Sequence, residues 1–179
     1  MVLLLVGLDS MISITNGKRA QIQQVRKEVS QVNKQQRYMN TQIDYLQTTY
    51  NANDDQAKND LLRFAKTYYK FSSQSDYDQR FSQISDILSL SNNQKNQLFD
   101  SGRDATGGSR IDNLGLTSQY ETATGYTSDL NHQIIESLAT VIVQTSGTGQ
   151  KSINQTILLH GWFNTKTQKL TSIKINQIQ

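Results

Sequence analysis

The sequence predicts an α+β protein: a long N-terminal helix with a coiled-coil pattern, then helices packed on a curved antiparallel sheet of about four strands. Three observations carry this expectation. Apolar residues recur alternately three and four apart over residues 22–50. Stripes of aromatic and aliphatic residues at helical spacing follow, as far as Phe99. Beyond Arg110, long β-type runs are separated by short turns, and helices followed by consecutive strands favour antiparallel pairing. The expected division is an apolar membrane-proximal segment over residues 1–15, a helical stalk over 16–51 and an α+β domain over 52–179.

Composition narrows the class. A chain of 179 residues holds one ordinary domain plus an extension. Only 35% of the residues are hydrophobic and 18% charged, and the remainder is rich in Gln, Asn, Ser and Thr. That balance suits a solvated stalk and a sheet with one wet face better than a buried α/β enzyme core. A net charge of +3 does not by itself imply nucleic acid. With no cysteine, disulfide frameworks, thiolate zinc sites and thiol catalysis are excluded; with no proline, so is a rigid proline linker.

The run Val2-Leu3-Leu4-Leu5-Val6-Gly7-Leu8 is intensely apolar, but Asp9 and Ser10 interrupt it. A spanning helix needs about 20 apolar residues, so this run is expected to be the last part of a truncated membrane anchor. The other reading is an apolar first turn that packs on protein. Lys18, Arg19, Arg26 and Lys27 follow the run. The positive-inside rule draws such charges to the cytoplasm, against an exterior stalk unless residues upstream outweigh them.

In the stalk, Ile22, Val29, Gln36, Ile43 and Tyr50 occupy one seam position of a heptad, and Val25, Val32, Met39 and Leu46 the other. The intervening residues are Gln, Lys, Arg, Glu and Asn, as a solvated face requires. Gln36 lies in the seam at a cost in stability and can fix register or strand number. Such a stripe either self-associates, meets a partner helix, or docks on the chain's own domain. Asn51-Ala52-Asn53-Asp54-Asp55 is expected to break the heptad and cap the next helix.

In the globular part, a helix is expected from Asp55 through Phe71. A second, capped by Ser75 or Asp76, should carry Tyr77, Phe81, Ile84, Ile87 and Leu88, and a third should open at Ser91. Residues 102–110, with three glycines and no periodicity, read as a flexible loop. Strands are expected over 116–127, 134–145, 153–163 and 170–178, with turns at 146–149 and 164–167. Phe64, Tyr68, Phe81, Ile84, Val141, Leu158 and Ile173 are expected to share the core, and Tyr120, Thr122, Thr124 and Tyr126 one strand face.

No motif for chemistry survives inspection. In Gly147-Thr148-Gly149-Gln150-Lys151-Ser152, Gln150 separates glycine from lysine and a strand follows, so this is a hairpin turn and not a phosphate loop. His132 and Glu136 are four apart, but His160 is the one other histidine and a metal site needs more ligands. No Gly-x-Ser-x-Gly occurs, and Glu121 and Glu136 are the acidic residues within the strands. The expectation is no catalytic residue, no metal, no cofactor and no small-molecule substrate. The basic residues Lys18, Arg19, Arg26, Lys27, Lys34 and Arg37 fit a solvated or phospholipid-facing surface better than nucleic acid.

The order of parts resembles the bitopic scaffold subunit of type IV secretion and conjugation systems, in its Gram-positive version. The resemblance rests on the apolar start, the linker through Tyr50, the helix with Phe64-Ala65-Lys66-Thr67-Tyr68-Tyr69, and the strands ending at Ile178. It implies an exterior domain of the nuclear transport factor 2-like fold on a single-pass membrane protein. It also implies a non-enzymatic assembly role through self-association and contacts with other channel subunits. A surface adhesion or stalk protein, and an enzyme on the same fold, are the alternatives.

Overall fold

The computed structural model describes the backbone of residues 2–178 and the side chains of residues 18, 19 and 21–177. Helix α1 spans Val2–Tyr68. Three short helices follow, α2 (Gln74–Gln79), α3 (Asn92–Leu98) and α4 (Arg110–Asn113), with a 3₁₀ turn at Ser85–Ile87. Four strands complete the chain: β1 (Thr117–Thr127), β2 (Ile134–Ser146), β3 (Ile153–Asn164) and β4 (Lys169–Ile178). They form one sheet in the order β1-β2-β3-β4, with every pair antiparallel. The α+β class, the long first helix and the four-stranded antiparallel sheet are thus as the sequence predicts. The chain divides into two compact units, residues 1–49 and 50–179.

The helix interruption expected at Asn51–Asp55 does not form, and α1 runs on through it. Asn and Asp are only weakly unfavourable in helices, and burial a turn later outweighs them. Ala57, Leu61, Phe64 and Ala65 are fully buried. Lys58 Nζ also meets Asp55 Oδ1 at 2.8 Å.

In the second unit, these helix residues cover one face of the sheet, where Ile135, Ala139, Val141, Val143, Ile157, Leu159, Phe163, Leu170 and Ile173 are buried. Glycine sits where the approach is tightest. A Cβ on Gly161 would lie 2.9 Å from Ser137 Oγ and 3.0 Å from Leu61 Cδ1. Leu158 is a correction: it is half-buried on the opposite face, because Ile157 and Leu159 take the inward positions and alternation sends their neighbour outward. The face expected for β1 also divides. A bulge between Tyr120 and Thr122 turns Tyr120 toward the core while Thr122, Thr124 and Tyr126 point outward.

Phe71, expected in the helix, instead forms a bridge to Ser118, with N–H···O distances of 3.0 and 2.9 Å. Ser73 rather than Ser75 or Asp76 caps α2. That helix ends at Gln79, short of the expected run to Leu88. Ser82 and Ser85 donate to backbone carbonyls three residues back, at 2.8 and 3.2 Å, which favours turns over a continued helix. Ser91 caps α3 as expected. The 102–110 segment is built around Asp104, whose Oδ1 accepts from Thr106 N, Thr106 Oγ1 and Gly108 N at 2.7–2.9 Å. These bonds hold its carboxyl below the usual range. Helix α4, capped by Ser109, was not anticipated.

Two outcomes test this packing. Gly161→Ala should destabilise the fold by about 1–3 kcal/mol in urea unfolding, although alanine is the better strand residue, because the added methyl overpacks the helix–sheet contact. Asp60 gives the second. It is only 9% exposed, and its Oδ2 has no hydrogen-bond partner among the described residues. Burial raises its carboxyl above the ordinary value. The folded state therefore holds that proton more tightly than the unfolded chain, and stability falls as pH rises from the unfolded value through the folded one. Asp60→Asn should raise the urea midpoint at neutral pH, with the gain vanishing below about pH 3.

Candidate interaction surfaces

In the first unit, seven apolar seam residues of α1 lie in solvent. Ile22 and Val29 are each 52% exposed and Leu46 62%, with Val25, Val32, Met39 and Ile43 similarly open. Gln36 is exposed on the same row. A contiguous apolar row on an exposed helix is a candidate interaction surface, which scattered apolar residues would not be. Polar residues beside it bond locally, as Gln24 does to Glu28 at 3.1 Å and Thr48 to the Asp44 carbonyl at 2.8 Å. The last seam residue differs. Tyr50 belongs to the second unit, is half-buried, and has its hydroxyl 3.4 Å from Asp129 Oδ1. Partial desolvation first, then the charges of Asp129 and Asp54, push its hydroxyl pKa up. The apolar segment of residues 1–15 lies outside the described side chains. Among the described residues, no helix is long and apolar enough to cross a membrane.

The second surface is the face of the sheet that α1 does not cover. Register places Glu136 opposite Trp162 and Leu138 opposite His160, so Glu136 and His160 are diagonal neighbours on one face. His160 Nε2 lies 2.8 Å from Glu136 Oε2, and the imidazole stacks on Trp162 with ring centroids 3.8 Å apart. Lys174 Nζ, on β4, sits 5.4 Å from the Trp162 ring. Tyr126 and Leu138 are exposed beside them. Next to this row a cleft of about 700 Å³ is lined by Ser128, Leu130, His132, Ile134, Glu136 and Trp162 among others.

His132 and Glu136, paired on paper by their spacing, are not brought together as a helical pair. His132 occupies a tight turn in which it and Gln133 have φ of 47° and 67°, closed by mutual Asn131–Ile134 backbone bonds of 2.8 and 2.9 Å. Its ring bonds the Asn131 side chain. No group of three or more His, Asp or Glu side chains among the described residues could hold a metal. The Gly147–Gly149 segment forms the β2–β3 turn, with Gln150 N donating to the Gly147 carbonyl at 3.0 Å.

Sequence reasoning also missed Arg80. It is 2% exposed, its guanidinium 3.4 Å from the centroid of the Tyr77 ring and 4.6 Å from that of Tyr68. Its Nε donates to the Tyr77 carbonyl at 3.0 Å, and the nearest carboxylate, Asp100, is 3.8 Å from Nη2. Asp100 in turn accepts from the Tyr77 hydroxyl and from Arg110. Burial first, then the bond to Asp100, pushes the Tyr77 hydroxyl up to about 12. The aromatic stripe announced a core here; nothing in the spacing announced a cation inside it.

No family model matches this chain, and no curated protein matches it. Among solved structures, the chain is similar to the crystal structure of CagV, a VirB8 homolog of the type IV secretion system from Helicobacter pylori strain 26695. That likeness has a TM-score of 0.47 at 12% sequence identity, and covers 70% of this chain and 100% of the other.

A partly exposed hydrogen-bonded pair on a sheet face is worth little, so His160→Ala should leave urea-unfolding stability within about 1 kcal/mol. The same substitution should alter the emission of Trp162, the one tryptophan in the chain, by removing the ring stacked on it.

Proposed function

We propose that this chain is a non-enzymatic assembly subunit of a membrane-spanning type IV secretion channel, working through self-association and contacts with other channel subunits. The observation that supports this best is the solvated heptad row from Ile22 to Leu46. The order of parts supports the channel assignment: an apolar N-terminal run, a heptad helix and an α+β domain. In this reading the apolar run adjoins the cell membrane, and the helix and the domain stand on its extracellular side.

The energetics favour a partnered helix. Burying a Val, Leu, Ile or Met side chain contributes roughly 1.5–3 kcal/mol. Ordering the side chains and bringing two chains together offset part of that gain, so the expected product is a concentration-dependent oligomer. Without a partner, a solvated helix so rich in Gln and Asn is marginal in water. The sheet face around Trp162 is the complementary surface for other subunits, with His160 and Glu136 acting there as contact residues and not as catalysts.

Introducing Val29→Asp together with Ile43→Asp would place unpaired charges in the seam. The double variant should sediment as a monomer at concentrations where the parent is oligomeric, with the near-ultraviolet signal of Trp162 unchanged. A parent chain that is already monomeric at high micromolar concentration would sink the self-association reading.

A further inference from the structure

We infer that the seam pairs two copies of this chain side by side, parallel and in register, with Gln36 setting the direction. This rests on the self-association proposed above and deepens it. Gln36 is the polar member of a row otherwise made of Ile22, Val25, Val29, Val32, Met39, Ile43 and Leu46. In a parallel, in-register pair each layer holds the same residue from both copies. Gln36 then faces Gln36, and each amide offers the donor and acceptor that the other lacks.

Antiparallel pairing makes the two kinds of seam position face each other. The registers with the greatest overlap set Gln36 opposite Val32 or opposite Met39, with the two amides offset by about one helical turn. Each copy then presses a polar group against an apolar side chain, and a buried amide without its layer partner costs more than a paired one gains. Ile22, Val25, Val29, Val32 and Ile43 are β-branched across both seam positions, so Gln36, and not the aliphatic layers, distinguishes the two directions.

Charge gives the opposing consideration. Lys18 continues the seam phase one heptad before Val25, so parallel pairing brings Lys18 beside Lys18. Lys18 is exposed at the end of the row, where solvent and salt screen the repulsion, while Gln36 lies in the middle of it. The central layer decides. Parallel pairing also keeps the apolar runs Val2–Leu8 of both copies at the same end, as attachment to one membrane requires.

The chain contains no cysteine, so single-cysteine variants of the full chain report the geometry directly. Under mild oxidation, Val25→Cys alone and Leu46→Cys alone should each yield a disulfide-linked dimer, about tenfold more than Lys34→Cys on the solvated side, because the bond forms only between closely apposed Cβ atoms. A mixture of Val25→Cys with Ile43→Cys, partners in the antiparallel register, should yield only the two homodimers. A predominant mixed product would overturn the parallel pairing while leaving self-association intact. Absence of any oligomer of the uncrosslinked chain in sedimentation would instead overturn the self-association reading and this inference with it. Gln36→Leu should strengthen association yet admit both cross-linking patterns. If that variant remains strictly parallel, Gln36 does not set the direction.

Discussion

Much of the second unit follows from how closely residues 57–65 of α1 approach the sheet. Leu61 reaches over Gly161, where Ser137 Oγ and Leu170 Cδ2 would lie within 3.2 Å of an added Cβ. That proximity lets Phe64 sink fully and stack on Tyr68 at 5.0 Å, with Phe99 completing the aromatic cluster. Because side chains alternate along a strand, committing Ile135, Ser137, Ala139 and Val141 to the helix side commits Glu136, Leu138 and Thr140 to the other. The surface that carries Trp162 and His160 is therefore a consequence of core packing, and a slip of one residue in register would bury Glu136.

Different kinds of pattern were legible to different degrees. The strands could be read because β-branched residues and alternation persist through each, and turns rich in Gly, Asn and Thr bound them. The heptad was legible because periodicity needs no tertiary information. Its continuation through Asn51–Asp55 was not, since the burial of Leu61 and Phe64 outweighs local propensity there. Leu158 and Tyr120 were misassigned for a related reason: strand parity is relative, and a bulge or a neighbouring apolar residue resets it. The short helices α2 and α4 depend on Ser73 and Ser109 as caps, in a chain where serine is too common to single them out. The Glu136–His160 pair is diagonal across two strands and needed the register of β2 on β3, which spacing along the chain cannot supply.

Buried polar groups in this domain are treated unevenly. Gln74 is fully engaged: its backbone N–H donates to Asp112, its amide to Asp78 and the Ser101 carbonyl, and its oxygen accepts from Ser109. That single side chain ties α2 to the segment leading into α4. Arg80, by contrast, relies on aromatic faces more than on a carboxylate, which a cation tolerates because the ring faces are electron-rich. Asp60 is compensated only in part: Oδ2 has no partner among the described residues, and burial outweighs the Gln56 bond and the Arg63 charge, so its carboxyl pKa is raised.

The two exposed apolar regions differ in what could cover them. On the sheet, Trp162 is already partly covered by His160, and Lys174 lies near its ring, so its surroundings are mixed in charge and shape. On the helix the row is aliphatic and repeats every seven residues. An α-helix turns once in 3.6 residues, so a strict seven-residue repeat drifts by about 20° per heptad around a straight helix. A flat docking surface would not follow that drift, and a row selected to lie on one would move toward an 18-residue repeat, not hold a heptad. A second helix of the same period does follow it, by supercoiling. The feature that persists from Ile22 to Leu46 is therefore the period itself, and the period is a property that a matching helix can use.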